Sequence, residues 1–281
     1  LNYANISILM SVYYKEDARY FKESLESVIQ QTMIPRQIVI VRNGNLTKSL
    51  DNVLDNFIET YGYLIEISVI QLQQQKGLGI ALNFGLQSCK YDLVARMDSD
   101  DHAMENRFEK QIKYLGTHPD IKVLGGQIQE FVNQWNQPFR LRNVPTSSIS
   151  ILKFSRYRNP LNHMTVMFDK RFILDVLDGY HDVPGFEDYE LWLRVLKADQ
   201  SALGNLADIL VAARVSNLQE RRGGLNYIRQ NYLARQTFLR NDLIIFKDFV
   251  VTVTAGILVS LTPSKLRAAI YKYILRKDYM E

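Results

Sequence analysis

Apolar runs and amphipathic stretches take turns through the first hundred residues. Residues 6–13 form a nearly continuous apolar run, 20–31 carry apolar positions at helical spacing, and 38–41 are wholly apolar. The helical spacing returns over 50–61, and 65–72 is rich in β-branched residues. This alternation predicts an α/β fold with a mostly parallel sheet flanked by helices, because strands that run the same way need a crossover between them. A further helix over 78–88 leads to the strand 93–97, which delivers Asp98-Ser99-Asp100-Asp101 at its carboxyl end. Ligands of open α/β sheets gather at that edge.

The pattern then changes. A helix begins at Arg107 and runs to Leu115, and His118-Pro119-Asp120 breaks it. Residues 123–145 have β character, with Gly125-Gly126 and a polar turn over 133–138, and read as a hairpin that leaves the parallel sheet. A loop running into a helix is expected over 185–199, and from Leu225 the chain reads as helical. The glycine-rich break at Arg221-Arg222-Gly223-Gly224 divides an α/β region, 1–224, from a helical C-terminal region, 225–281.

Composition narrows the class. With 281 residues, 47% of them hydrophobic, the chain can bury a full core. Lys and Arg exceed Asp and Glu by only 34 to 30, too mild an excess to imply a nucleic-acid partner. Cys89 is the single cysteine, so an intrachain disulfide and a cysteine-rich metal site are both excluded, and a reducing cytoplasm is expected. Its default role is a small buried hydrophobe. The opening residues read directly as a strand, and no export is expected. The longest apolar run, 249–261, falls short of the ~20 residues that span a bilayer and reads as a buried helix or an interfacial segment.

The candidate chemistry centres on the acidic motif. Asp98 and Asp100 are one residue apart at a strand end, so extended backbone turns both carboxylates to the same face. Two hard oxygen ligands suit Mg2+ or Mn2+ with positions left for phosphate oxygens, and such an ion neutralises charge on a departing diphosphate. An Asp-rich turn capping the next helix is the alternative. Three carboxylates within four residues would repel one another without a cation, which favours metal.

The remaining motifs extend this reading. They are Ile6-Ser7-Ile8-Leu9-Met10-Ser11-Val12-Tyr13; Ser24-Leu25-Glu26-Ser27-Val28 with Gln31-Thr32; and Lys76-Gly77-Leu78-Gly79-Ile80-Ala81-Leu82-Asn83. Ala95-Arg96-Met97-Asp98-Ser99-Asp100-Asp101 with Arg107, Asn159-Pro160 with His163, and Glu187-Asp188-Tyr189-Glu190-Leu191-Trp192 follow. In this order, over residues 5–225, the chain resembles the inverting family 2 glycosyltransferases of GT-A fold, particularly bacterial O-antigen and exopolysaccharide enzymes.

The resemblance implies a specific site. Asp98 and Asp100 would hold Mn2+ or Mg2+ and the sugar-nucleotide diphosphate, and Asp101 would support the site or touch the donor sugar. Asp188 would be the general base, with Glu187 beside it; Glu190 is the other candidate partner. Ser11, Tyr13, Gly77, Asn83 and Arg96 fall in matching segments and would line the donor site, with Asn43 beside them. His163 would contact the diphosphate or acceptor, or else serve as a packed structural residue. Arg222, beside Gly223-Gly224, would reach a phosphate from a flexible loop. Two departures stand out: Arg42-Asn43-Gly44 occupies the strand end where the family carries an acid, and Ser11-Val12 replaces its first-strand proline. Asn43 can still bond a base or ribose.

The implied reaction is inverting transfer of a hexose from a UDP-sugar, galactose or glucose ahead of N-acetylhexosamines, to an undecaprenyl-diphosphate-linked saccharide. It would form a β-linkage through an oxocarbenium-like transition state, at the inner face of the cytoplasmic membrane. Residues 265–277 place Leu266, Ile270, Tyr273 and Ile274 at helical spacing with Lys265, Lys272 and Arg276 to one side. Such a helix either lies on an anionic membrane surface or packs on the core, and the apolar run before it inclines toward the membrane. Two rivals remain. An Asp-nucleophile phosphotransferase also places D-x-D after a strand, but after the first strand and without His102. A degenerate, non-catalytic relative finds its only support in Arg42-Asn43.

Overall fold

The computed structural model describes residues 2–215 and 224–262. Its first half follows the expected alternation: β1 (Tyr3–Val12), α1 (Ala18–Ile29), β2 (Ile34–Asn43), α2 (Lys48–Tyr61), β3 (Glu66–Leu72), α3 (Leu78–Ser88) and β4 (Leu93–Asp98). After these come β5 (His102–Ala103), α4 (Arg107–Thr117), β6 (Val123–Phe131), β7 (Arg140–Arg142), α5 (Ser148–Ser155) and β8 (Met167–Asp169). The second half ends with α6 (Glu187–Ala198), β9 (Leu203–Arg214), α7 (Gly224–Arg240) and α8 (Phe246–Leu261). Among the described residues the strands form one sheet in the order β3-β2-β1-β4-β8-β6-β9-β5, with β7 on the flank of β6.

The apolar runs of β1 and β2 are explained by burial on both faces. Ile8, Met10, Ile38 and Ile40 join one core, beneath α1 and α2, while Leu9, Val39 and Val41 join the other, beneath α3 and α6. A period of two sends neighbours to opposite layers, and both layers are dry. Gly85 on α3 permits the close helix–sheet approach, since a Cβ there would lie 2.5 Å from Leu9 and 2.6 Å from Val41.

The hairpin over 123–145 requires correction. β6 and β7 do pair as antiparallel strands, but β6 does not leave the sheet: it lies between β8, antiparallel, and β9, parallel. Every residue of β6 is buried, so neighbours on both edges satisfy a backbone that water cannot reach. β9 has no counterpart in the sequence reading, and it lies beside β6 where Gly126 leaves room for Leu210.

Tyr189 and Leu193 of α6 cluster with Ala234 and Phe238 of α7 and with Val183 and Ile244, and Phe249 of α8 packs against that cluster. Arg156 reinforces this contact, donating two hydrogen bonds, 2.8 and 2.9 Å, to the buried Asp248 of α8. The other side of α8 leaves Phe246, Val250, Val251 and Leu258 exposed. No helix among the described residues is long and apolar enough to cross a membrane. Arg222 and the basic stretch 265–277 lie outside the described residues.

Candidate active site

β1, β2 and β4 run parallel and end at one edge of the sheet, where Ser11 stands opposite Asp98. The acidic loop that follows is held from several sides. Ser24 Oγ donates to the Asp98 carbonyl at 2.7 Å, Ser27 Oγ accepts the Ala103 N–H at 3.0 Å, and Gln31 Nε2 donates to the Met104 carbonyl at 2.9 Å. Ser24 and Ser27 lie on the buried side of α1 and Gln31 just past its end, so that helix and its exit serve as a clamp on the loop. From the other side, Arg214 at the end of β9 donates its backbone N–H to Asp101 Oδ1 at 2.8 Å and its Nε to the Asp100 carbonyl at 3.1 Å. Arg107, fully buried, props β4 from below with a 2.7 Å bond from Nη2 to the Arg96 carbonyl.

The loop brings carboxylate oxygens of Asp98, Asp100 and Asp101 within 4.8 Å of one another. Burial, then the charges of Asp98 and Glu16, push the Asp100 carboxyl up to about 7. Asp101 is raised well above the ordinary range, first by burial and then by Asp100 and Asp98. Its Oδ2 is buried without a hydrogen-bond partner. Mutual repulsion and an orphaned carboxylate oxygen are what a divalent cation relieves, so the residues present fit such an ion. Because Asp101 is only 3% exposed, its position suits support of the loop rather than direct contact with a sugar.

A second acidic pair opens α6. Asp188 Oδ2 accepts from Asn159 Nδ2 at 2.6 Å and Oδ1 from the Tyr189 N–H at 2.7 Å. Burial raises the Asp188 carboxyl, while these two bonds and the charges of Arg96 and Arg142 oppose the rise. Glu187 is pushed up to about 7 by burial and by Asp188. Glu190 is fully buried, accepting from Arg194 at 2.8 Å and bonded to His181 at 2.9 Å, so it secures α6 and is not available as a base.

Arg96 links the two clusters. Its guanidinium is 2% exposed, pairs with Asp98, and favours the charged forms of Asp100, Glu187 and Asp188. Its Nε and Nη1 have no hydrogen-bond partner. The glycines of the 76–83 segment account for a second link. A Cβ on Gly79 would lie 3.0 Å from Glu187 Cβ and 3.1 Å from Tyr180 Cβ, and one on Gly77 would lie 3.2 Å from Asp182 Oδ1. The start of α3 therefore rests directly on the loop that carries the acidic pair.

Other expected donor contacts have partners within the protein. Asn43, buried, donates to the Lys76 carbonyl at 2.9 Å and accepts the Lys76 N–H at 2.8 Å, so its amide pins the loop before α3. Asn83 grips the backbone of Tyr180 in the same way, at 2.7 and 2.8 Å. His163 Nε2 meets the Tyr180 hydroxyl at 2.9 Å, and its ring lies edge-on to Trp192. Burial, with Arg96 nearby, holds His163 well below its ordinary value and hence neutral, which fits the packed structural role. Ser11 and Tyr13 stay half-exposed at the edge. Arg42 pairs with Asp51, so the charge that favoured a non-catalytic relative is neutralised within the fold.

Sequence reasoning missed the roles of Asn159, Tyr180 and Arg214. Asn159 lay in a matched motif without a role, and Arg214 ends a strand that was not recognised. A readable signal did exist for the clamp: Ser24, Ser27 and Gln31 place polar side chains where α1 turns toward the core.

The family model described as "Glycosyl transferase family 2" matches residues 7–176. Among curated relatives, the UDP-Gal:alpha-D-GlcNAc-diphosphoundecaprenol beta-1,3-galactosyltransferase of Escherichia coli is 35% identical over 272 residues, 96% of each chain. The amylovoran biosynthesis glycosyltransferase AmsE of Erwinia amylovora is 37% identical, over 79% of this chain and 81% of its own. In overall fold the chain is similar to the mannosyltransferase PcManGT from Pyrobaculum calidifontis, at TM-score 0.63 and 16% identity over 96% of this chain and 75% of that one. S. aureus TarS 1–349 in complex with UDP-GlcNAc gives TM-score 0.59 and 17% identity, over 96% and 71%. These neighbours bear out the expected GT-A arrangement of the sheet and its flanking helices.

Proposed function

The chain belongs to glycosyl transferase family 2, and on that footing we propose that it transfers galactose from UDP-galactose to a lipid-linked saccharide diphosphate, with inversion. The observation that carries this reading is the separation of two acidic groups with different chemistry. Asp98, Asp100 and Asp101 crowd their charges into one cluster, whereas Asp188 is held by the Asn159 amide and the Tyr189 N–H. The choice of donor and acceptor follows the Escherichia coli relative, which matches along nearly its whole length.

Mn2+ or Mg2+ held by Asp98 and Asp100, with Asp101 behind them, would supply neutralisation of the charge on the departing diphosphate. The chain's own residues do the rest. Asp188 accepts the proton of the attacking acceptor hydroxyl at a carboxylate oxygen, which lowers the barrier as the new bond forms. Asn159 fixes that carboxylate's orientation and favours its ionised form. Arg96 balances the charge of both clusters, and the Gly77–Gly79 approach sets the start of α3 against Glu187 and the loop that leads to it. Direct attack on an α-linked donor yields a β-linked product.

A lipid-linked acceptor implies work at the inner surface of the cytoplasmic membrane as a peripheral protein, and the exposed apolar side of α8 supports that reading. Incubation with UDP-galactose, UDP-glucose and UDP-N-acetylglucosamine, each with Mn2+ or Mg2+ and an N-acetylglucosaminyl diphosphate lipid, tests the proposal. Metal-dependent transfer from UDP-galactose is expected. Transfer from another donor alone would overturn the choice of sugar, and transfer from none would overturn the function.

A further inference from the structure

The hairpin between β6 and β7 carries an aromatic side chain that the reaction has not used. β6 is antiparallel to β8, and β8 is antiparallel to β4, so β6 ends at the same edge of the sheet as Asp98. The hairpin tip therefore rises beside the acidic loop, in the half of the sheet away from β2 and β3. At that tip the Trp135 indole stacks on the His102 ring, with centroids 4.0 Å apart and planes 5° from parallel. His102 directly follows Asp101.

The indole is fixed rather than dangling. The Trp135 carbonyl accepts from Gln129 Nε2 at 2.8 Å. Arg214 Nη1 donates to the carbonyls of Val132 and Asn133 at 3.1 and 3.2 Å, while Nε of the same guanidinium holds the Asp100 carbonyl. Arg214 is itself seated against Tyr20 and Phe131. Two bridges, the ring stack and Arg214, thus tie the tip to the acidic loop. Trp135 nevertheless remains 37% exposed, although His102 covers one face of its ring.

We propose that the open face of Trp135 is the stacking platform for the sugar ring of the acceptor, an assignment that rests on the transferase reading above. The electron-rich face of an indole attracts the polarised C–H groups on the apolar side of a pyranose, and a platform already immobilised costs little ordering on binding. The donor's nucleoside is expected at the ends of β1 and β2, which leaves the Trp135 half of the edge for the acceptor. Placing the ring there lets one metal loop register both substrates, since Arg214 couples the loop to the hairpin.

Trp135→Ala and Trp135→Phe test the assignment, with UDP-galactose and Mn2+ as donor system and a short-chain alkyl N-acetylglucosaminyl diphosphate as acceptor probe. Trp135→Ala should raise the acceptor KM by about ten-fold, leaving donor KM and the slow hydrolysis of donor by water unchanged, with Phe restoring part of the loss. An unchanged acceptor KM, or a donor KM that rises in step, overturns the proposal. So does a defect seen only with acceptor in vesicles and absent with the short-chain probe, because that result makes the hairpin a membrane contact. A binding readout keeps the two claims apart. Trp135 and the buried Trp192 are the only two tryptophans, so the probe should quench indole fluorescence in the unaltered protein and not in Trp135→Phe. Quenching without any transfer would sink the transferase reading and support the platform; no quenching would sink the platform.

Discussion

Asn159 donates from Nδ2 to Asp188 Oδ2 over 2.6 Å, joining the loop after α5 to the first turn of α6. The bond works against burial, which by itself raises the Asp188 carboxyl. Asn159→Leu removes a donor to the charged form, so the Asp188 pKa must rise further. A base is active when ionised, and the acidic limb of the kcat/KM profile should therefore move to higher pH, by roughly one unit. Activity should suffer more at low pH than at high pH. A profile that falls uniformly without moving would mean that Asn159 serves only the fold.

The acidic loop predicts how stability depends on pH. Folding raises the Asp100 carboxyl from 3.8 to about 7, so the folded state takes up a proton that the unfolded state has released between those values. More protons on the folded form mean that stability falls as pH rises through that window. A divalent cation replaces the shared protons, so Mn2+ should raise Tm more near pH 8 than near pH 5. Asp100→Asn should blunt both effects and abolish metal-dependent transfer. A metal-induced Tm shift that is equal at both pH values, or that survives the substitution, would contradict the assigned site.

Gly79→Val tests the contact between the start of α3 and the first turn of α6, which carries Asp188. The Cβ alone would meet Glu187 and Tyr180 at 3.0 and 3.1 Å, and the added methyls have nowhere to go without displacing α6. Overpacking of this kind costs ~1–3 kcal/mol, which a core of this size withstands. Turnover should drop at least ten-fold while circular dichroism stays native and UDP binding persists. Full turnover in the folded variant would show that the approach is incidental.

The sequence was legible where signals were local. β1, β2 and β4 announce themselves because both their faces are buried, and D-x-D stands out because carboxylates so close together need a reason. What stayed hidden depends on distant neighbours. β6 reads as a hairpin strand, and only its contact with β9 makes it central. Asn43 and Asn83 read as ligand contacts, and the backbone bonds their amides also make, to Lys76 and Tyr180, lie 33 and 97 residues away in sequence. His163 reads as either ligand or packing residue, and its burial against Tyr180 and Trp192 favours packing.

The most direct test of the central claim is the turnover of Asp188→Asn, measured with UDP-galactose, Mn2+ and the short-chain N-acetylglucosaminyl diphosphate and compared with the affinity for UDP-galactose. Loss of a positioned general base costs ~10²–10⁴ in kcat and leaves donor binding through the acidic loop intact. Glu187→Gln should lose less, and residual product should remain β-linked. Near-normal turnover by the folded Asp188→Asn protein would contradict the account.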